Sequence, residues 1–190
     1  MPESDFKEGH VEADGFRVRY LEAGQGDSVV ILDSNAWGWS PLNDALAKTY
    51  RVVVFEVPGM GSSSPNTTSG SVNDLAGTMV QAAASVVSGK FTLIGTSFAA
   101  NVALRQTLLA PESVEALVLI SPTSIRPAAS APTQTLDEMK ARLSAHPENI
   151  PSLPFGLIDN LTQEQALVAR LGGTVNDSEV ESRLGDVQCA

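Results

Sequence analysis

Residues 91–109 have the sequence FTLIGTSFAANVALRQTLL, in which a strand pattern is joined directly to a helix pattern. Phe91–Ile94 is a short apolar run, typical of a strand that is buried on both faces of a parallel sheet. A helix is predicted to begin at Ser97 or Phe98 and to continue to the end of the stretch, where Pro111 stops it. The strand therefore passes into the helix through a sharp turn.

The flanking sequence continues this alternation of strands and helices. Three more apolar runs predict buried strands, at Val29–Leu32, Arg51–Val57 and Ala116–Ile120. Helices are predicted to start at Ser40-Pro41 and at Ser71, and an Asp14-Gly15 pair predicts a hairpin near the N-terminus. Strands that alternate with helices form βαβ units, so we predict an α/β fold with a doubly wound, mostly parallel sheet.

The sequence changes character after Ile120. The segment 121–134 is rich in Pro, Ala, Ser and Thr, which is typical of an extended connector. Three helices are predicted beyond it: one with Leu136, Met139 and Leu143 on one face, one from a capping box at Thr162 to Gly172-Gly173, and one at Ser178–Leu184. We therefore predict two parts, an α/β core at residues 1–125 and a helical lid at residues 126–190.

The composition excludes several classes of partner. The chain has 190 residues, with 12 Lys and Arg against 22 Asp and Glu, and its formal net charge is −10. Nucleic acids and anionic membranes are polyanions, so neither is expected to bind it. The apolar runs are too short to span a bilayer, and the N-terminus lacks the basic and apolar regions of a signal peptide. A soluble, cytoplasmic protein is predicted.

The sequence also predicts that no cofactor is needed. Cys189 is the only cysteine, which excludes an internal disulfide and a cysteine-based metal cluster. No set of His, Asp and Glu residues has metal-ligand spacing, and no Gly-x-Gly-x-x-Gly run opens a helix after a strand. Neither a metal nor a dinucleotide is therefore expected.

A Gly-x-Ser pattern occurs four times, starting at Gly26, Gly38, Gly61 and Gly95, so the pattern alone has little weight. Only the last copy follows a predicted buried strand and opens a helix, which is the placement of a nucleophile elbow. Ser97 would then be a catalytic nucleophile, with the N–H of Phe98 stabilising an oxyanion at the helix N-terminus. The alternative is that Ser97 only caps the helix.

With these motifs in order, the chain resembles the α/β-hydrolase superfamily, in the lid-bearing branch that includes epoxide-hydrolase-like esterases and meta-cleavage C–C hydrolases. The resemblance rests on three stretches: Glu56–Ser63, which is similar to the family's Asp-x-Pro-Gly-x-Gly-x-Ser, the elbow at Phe91–Leu104, and Glu112–Pro122. A phosphate-binding loop is the weaker interpretation of the first stretch, because no helix is predicted directly after it. The resemblance covers residues 10–125 well and residues 126–190 loosely.

The chain departs from the family's pattern around the predicted oxyanion hole. Ala99 replaces the glycine that the family has two residues after the nucleophile, a change between small residues. Asp33-Ser34-Asn35-Ala36 replaces the family's His-Gly loop, so the second oxyanion N–H is expected from Asn35 or Ala36. An ionised Asp33 pointing inward would oppose an oxyanion; the alternative is that it points away and caps the loop.

The resemblance implies a triad in which an acid and then a histidine follow the serine on later strands. His10 precedes the first strand and His146 lies in a turn after a lid helix, so neither fits the base. We therefore expect the C-terminal strands of the family to be missing from this chain, which would be inactive alone. Association with a copy of itself, or with a complementary C-terminal fragment, is expected at the open sheet edge.

Four apolar residues are predicted to line a substrate pocket: Trp37, Trp39, Phe155 and Leu157. Packing against the first helix is an equal alternative for the two tryptophans, and packing within the lid is one for the other two. The function predicted from the resemblance is serine-dependent hydrolysis of an ester, acyl or C–C bond of a small apolar substrate. The alternative is a catalytically incomplete scaffold that binds a small ligand or a protein partner.

Overall fold

The computed structural model describes residues 5–33, 39–122, 141, 145–146, 148, 157–171 and 178–189, and only the backbone for 157–162.

Two strands open the chain, β1 at Lys7–Ala13 and β2 at Phe16–Ala23. They form a hairpin whose turn residues Asp14 and Gly15 have φ angles of 49° and 80°. Positive φ at both positions is what a two-residue type I′ turn requires, and the predicted hairpin is confirmed.

The remaining strands are β3 at Ser28–Asp33, β4 at Arg51–Glu56, β5 at Phe91–Thr96 and β6 at Val114–Ile120. They form one six-stranded sheet in the order β1-β2-β4-β3-β5-β6. Strand β2 of the hairpin pairs antiparallel with β4, whereas β3 to β6 are parallel to one another. The mostly parallel sheet is therefore as predicted, and the carboxyl ends of four strands share one edge of it.

Helices cover both faces of the sheet because side chains alternate along each strand. Val30 and Leu32 of β3 point into the larger apolar cluster, which contains residues of α2 at Val72–Val86 and of α3 at Ser97–Leu109. Val29 and Ile31 point into a smaller cluster, against which Leu46 and Ala47 of α1 at Pro41–Ala47 pack. The sheet is thus doubly wound, as expected from its βαβ units.

The predicted helix starts in the core are confirmed. Helix α1 at Pro41–Ala47 begins after Ser40, whose Oγ accepts a hydrogen bond from Asn43 N at 3.3 Å. Helix α2 begins after Ser71, which forms a capping box with Asp74. Both caps satisfy N–H groups that have no partner inside the helix.

The lid prediction needs one correction. Helix α4 spans Leu157–Arg170, so it begins five residues before the capping box expected at Thr162. No residue between Leu157 and Leu161 breaks a helix, and the Thr-x-x-Gln pattern therefore lies inside it. Helix α5 at Ser178–Ser182 is followed by a 3₁₀ turn at Leu184–Asp186, close to the predicted third helix.

Two other predictions fall outside the described residues, namely the domain boundary after residue 125 and the helix near residues 136–143, of which residue 141 alone is described. Within the described ranges, no helix has both the length and the apolar character needed to cross a bilayer.

Candidate active site

The turn between β5 and α3 carries the predicted nucleophile. Strand β5 ends at Thr96 and α3 begins at Ser97, whose φ is 54°. A left-handed backbone is uncommon for a residue with a side chain, and such strain is concentrated at functional sites. The backbone geometry expected for Ser97 is therefore present, while its catalytic role stays a prediction.

Gly95 explains how the helix can turn back so sharply onto its own strand. A Cβ at Gly95 would lie 2.6 Å from the carbonyl oxygen of Ala99 and 2.7 Å from the Cα of Ala100. The first turns of α3 therefore pass in direct contact with the strand backbone, and only a residue without a side chain fits. The small residues at 99 and 100 are both fully buried at this crossing.

The first N–H groups of α3 receive no hydrogen-bond acceptor from the side chain of the N-cap residue. The N-cap is Thr96, and its side chain makes no capping hydrogen bond. The helix assignment begins at Ser97, whose φ of 54° is not helical, so the alternative in which Ser97 only caps the helix stays open. The first N–H groups of a helix lack carbonyl partners, and the helix dipole favours negative charge there. An oxyanion beside Ser97 would meet this positive end.

The other three Gly-x-Ser serines have different surroundings. Ser28 begins β3, and Ser40 caps α1. Ser63 is buried, and its Oγ donates to the backbone oxygen of Glu56 at 2.8 Å. Of the four serines, Ser97 alone follows a strand and begins a helix, so context separates the copies as expected.

The loop predicted to supply the second oxyanion donor lies outside the described residues, as do Asn35, Ala36 and Trp37. Asp33, which precedes this loop, ends β3 and is 6% exposed. Leu32 lies opposite Gly95 in the parallel pairing of β3 and β5, so Asp33 lies one position from the start of the elbow. Since side chains alternate, Asp33 shares the sheet face of Val29 and Ile31.

The stretch Glu56–Ser63 forms a compact turn after β4. Gly59 and Gly61 have φ angles of 95° and 53°, and Gly59 N donates to Ser64 O at 2.9 Å. The next helix, α2, starts only at Val72. The stretch therefore does not open a helix, which argues against the phosphate-loop interpretation.

Glu56 holds this turn in place. Its buried carboxylate accepts a hydrogen bond from Ser62 N at 2.8 Å and forms an ion pair with Arg19 of β2. Arg19 also donates to Glu8 at 2.9 Å, and this hydrogen bond raises the pKa of Arg19 and lowers the pKa of Glu8. Arg19 was not among the predicted site residues, because its partner Glu56 is 37 residues away along the chain.

Trp39 packs against the smaller cluster together with α1 residues Leu46 and Ala47. Its Nε1 donates to the Asp44 carboxylate at 2.7 Å, and its ring stacks on Phe6 with centroids 5.5 Å apart. These contacts match the alternative in which the tryptophan packs against the first helix. A pocket role for Trp39 stays a prediction.

The two predicted lid residues of the pocket are not described at the level of side chains. Phe155 lies outside the described residues, and Leu157 is described only as the first residue of α4.

Neither histidine is shown in a position to serve Ser97. The prediction that His10 precedes the first strand is wrong, because His10 lies within β1. Three strands separate β1 from β5, a distance of roughly 19 Å at ordinary strand spacing. His146 has a 73% exposed side chain whose Nδ1 is 3.1 Å from Glu148 Oε1. In the parts of the chain that the structure describes, no three His, Cys, Asp or Glu side chains form a group suited to a metal ion.

A family profile described as alpha/beta hydrolase fold matches residues 24–155, which is more than half of the chain. Strands β3 to β6 and the turn at Ser97 lie within that match. The chain therefore belongs to the alpha/beta hydrolase fold family, and the fold predicted from its motifs is confirmed.

Curated relatives include two bacterial proteins with different names. The chain is 33% identical over 113 residues to the 2-hydroxy-6-oxononadienedioate/2-hydroxy-6-oxononatrienedioate hydrolase of Escherichia coli O81 (strain ED1a), covering 55% of this chain and 39% of that protein. It is 30% identical over 115 residues to the dihydrolipoyllysine-residue acetyltransferase component of the acetoin cleaving system of Cupriavidus necator, covering 58% of this chain and 31% of that protein. The chain thus spans less than half the length of these relatives.

Solved structures give the same fold. A serine hydrolase involved in carbazole degradation superposes with a TM-score of 0.71 at 20% identity, over 97% of this chain and 77% of that one. An epoxide hydrolase from Vigna radiata gives 0.56 at 23% identity, over 72% and 44%. At this level of identity the likeness concerns the fold alone.

Proposed function

We propose that this chain carries the nucleophile of a serine hydrolase that acts on an ester, acyl or C–C bond of a small, largely apolar substrate. One observation carries the proposal: a serine with φ of 54° stands where a strand passes into a helix, in a member of the alpha/beta hydrolase fold family. A nucleophile elbow needs this placement, because it lifts the hydroxyl out of the sheet.

In the proposed reaction, Ser97 Oγ attacks the substrate carbonyl carbon while a base takes the hydroxyl proton. The resulting oxyanion is stabilised by the N–H of Phe98 and by a second N–H from Asn35 or Ala36. The leaving group departs with a proton from the base, and water then releases the acyl group. We propose that the histidine base and its orienting carboxylate come from polypeptide other than residues 1–190.

The substrate class is inferred from the predicted pocket. Trp37, Trp39, Phe155 and Leu157 would give the pocket an apolar lining, which suits a small substrate with few charges. The Escherichia coli relative is named a hydrolase, which supports the reaction class alone, because the dioate in its name carries two carboxylates. A cytoplasmic location remains part of this proposal.

A second candidate is a scaffold that binds a ligand or a protein without catalysis. The buried Asp33 favours it, because this carboxylate lies beside the loop that should stabilise negative charge. The remote position of His10 favours it as well. Fold alone does not separate an enzyme from such a scaffold.

Reaction with a fluorophosphonate separates the two candidates. Imidazole is added as an external base in place of the missing histidine. We expect one adduct per chain, formed faster with imidazole, absent in Ser97→Ala and unchanged in Ser28→Ala, the matched Gly-x-Ser control. A chain that never forms the adduct but still binds an apolar ligand would support the scaffold instead.

We also propose that the edge strand β6 pairs with a second copy or with a complementary fragment. In the described sheet β6 contacts one neighbouring strand, and Val118 and Ile120 are 42% and 41% exposed. The opposite edge strand, β1, instead carries charged residues such as Lys7 and Glu8, which discourage pairing.

Light scattering at increasing concentration should therefore show association of the chain. Val118→Lys should reduce it, because a charge on an edge strand opposes strand pairing. Leu42→Lys, at a 51% exposed site on α1, is the control and should change nothing. A monodisperse monomer at all concentrations would be evidence against the pairing.

A further inference from the structure

We propose that Arg170 is a positioning residue that pins the C-terminal end of α4 to the loop between β4 and α2. This loop, residues 57–71, leaves the sheet at the edge where β5 ends, next to Ser97. The significance of the contact for catalysis rests on the proposed function, whereas the contact itself does not. We call the contact of Arg170 with Asn66 and Ser69 the arginine clasp.

The loop presents a preformed set of acceptors to the guanidinium. Asn66 and Ser69 are 8% and 5% exposed. They bind each other, with Asn66 Nδ2 donating to Ser69 Oγ at 3.0 Å and Ser69 N donating to Asn66 Oδ1 at 3.2 Å. This closed turn points two backbone carbonyls and one side-chain oxygen toward Arg170.

Arg170 donates to all three oxygens. Its Nη2 donates to the backbone oxygen of Asn66 at 2.7 Å and to Asn66 Oδ1 at 2.8 Å, and its Nη1 donates to the backbone oxygen of Ser69. A planar guanidinium can bind several fixed acceptors at once, whereas the ammonium of lysine is a single point donor. The cation also lies at the last residue of α4, where the helix dipole favours it.

Apolar packing supports the same contact. Leu167 and Leu171, one turn apart on the face that carries Arg170, are 5% and 6% exposed and belong to the main core cluster. A Cβ at Gly59 would lie 3.3 Å from Leu167 Cδ2 and 2.9 Å from Asn66 Cβ. The helix therefore touches the glycine turn itself, and bulk at this position would push the two apart.

The clasp fixes the C-terminal end of α4. The other end of this helix begins at Leu157, which is one of the predicted pocket residues. Leu157 begins α4, roughly 20 Å from Arg170 along the helix axis. The loop that receives Arg170 follows β4, which is two strand positions, or roughly 10 Å, from β5. Holding Arg170 to this loop thus sets where α4 lies relative to the end of β5, next to Ser97.

Hydrogen exchange of the 190-residue chain, read by mass spectrometry, tests the clasp. Arg170→Met keeps an apolar stem but removes the donor of all three hydrogen bonds, and we expect amides of α4 to exchange about 10- to 100-fold faster. Arg170→Lys should give an intermediate increase. Arg183→Met, which removes an exposed pair with Asp186, is the matched control and should leave α4 unchanged.

Hydrogen exchange in strands β3 and β5 distinguishes a positioning role of Arg170 from a general effect on stability. Amides of β3 and β5 should keep their wild-type exchange in Arg170→Met, since the opening is local to α4. Unchanged exchange in α4, or an equal increase in α4 and the strands, would overturn the proposal. Failure of Ser97 to react with the fluorophosphonate would refute the proposed hydrolase but would not affect the exchange result. A failure of the proposed function is therefore distinguishable from a failure of the clasp.

Discussion

The kcat of this chain alone for hydrolysis of a p-nitrophenyl ester should be about 10⁶-fold lower than its kcat after a histidine base and its carboxylate are supplied. The reason is the position of the histidines. His10 lies on the edge strand β1, and three strands lie between β1 and β5. His146 is on the surface, where it pairs with Glu148. Without a base, the hydroxyl of Ser97 remains a weak nucleophile.

The measurement compares saturating ester hydrolysis by the chain alone with hydrolysis after a polypeptide that supplies the two missing groups is joined to it. Ser97→Ala in the joined form should return the rate to that of the chain alone, and Ser28→Ala should leave the joined form active. A monodisperse monomer of 190 residues that hydrolyses the ester at enzyme-like rates, with that rate lost in Ser97→Ala, would contradict the expectation of a missing base.

Gly95→Ala should lower the free energy of unfolding by about 3 kcal/mol or more. The added Cβ would lie within 2.6 to 2.9 Å of backbone atoms of Ala99 and Ala100, and backbone atoms cannot rotate away. Relief requires α3 to move off β5, which disturbs a helix buried on nearly all sides. Urea unfolding followed by circular dichroism measures the change.

Gly77→Ala is the matched control for this variant. Gly77 lies inside α2, and a Cβ there would meet no atom within 4 Å. Because alanine favours a helix over glycine, we expect Gly77→Ala to raise the free energy of unfolding by about 0.5–1 kcal/mol. A Gly95→Ala variant as stable as the wild type would mean that the elbow does not depend on this close approach.

The sequence predicts the core well because its signals are local. The strand before Ser97, the helix after it and the caps at Ser40 and Ser71 each depend on residues within one turn or one run. The φ of Ser97 follows from the same local pattern, because a strand that passes into a helix within one residue requires a sharp bend.

What the sequence does not predict depends on contacts between distant residues. A capping-box pattern such as that at Thr162 marks a helix start only where the preceding residues are not helical. In this chain the residues before Thr162 already belong to α4. Arg170 shows no pattern of its own, since its partners Asn66 and Ser69 lie 104 and 101 residues away. The sequence leaves two alternatives for Trp39, and its packing against the smaller cluster likewise depends on which face of the sheet it meets.

The central claim is that Ser97 forms a covalent acyl intermediate, and acid-quenched mass spectrometry tests it most directly. The chain is mixed with an activated ester and imidazole, quenched, and digested with trypsin; the peptide between Lys90 and Arg105 contains Ser97 as its only serine. We predict that the acyl group is found on this peptide in the wild type and in Ser28→Ala, and is missing from it in Ser97→Ala. Acylation confined to other peptides, or equal in Ser97→Ala, would contradict the account.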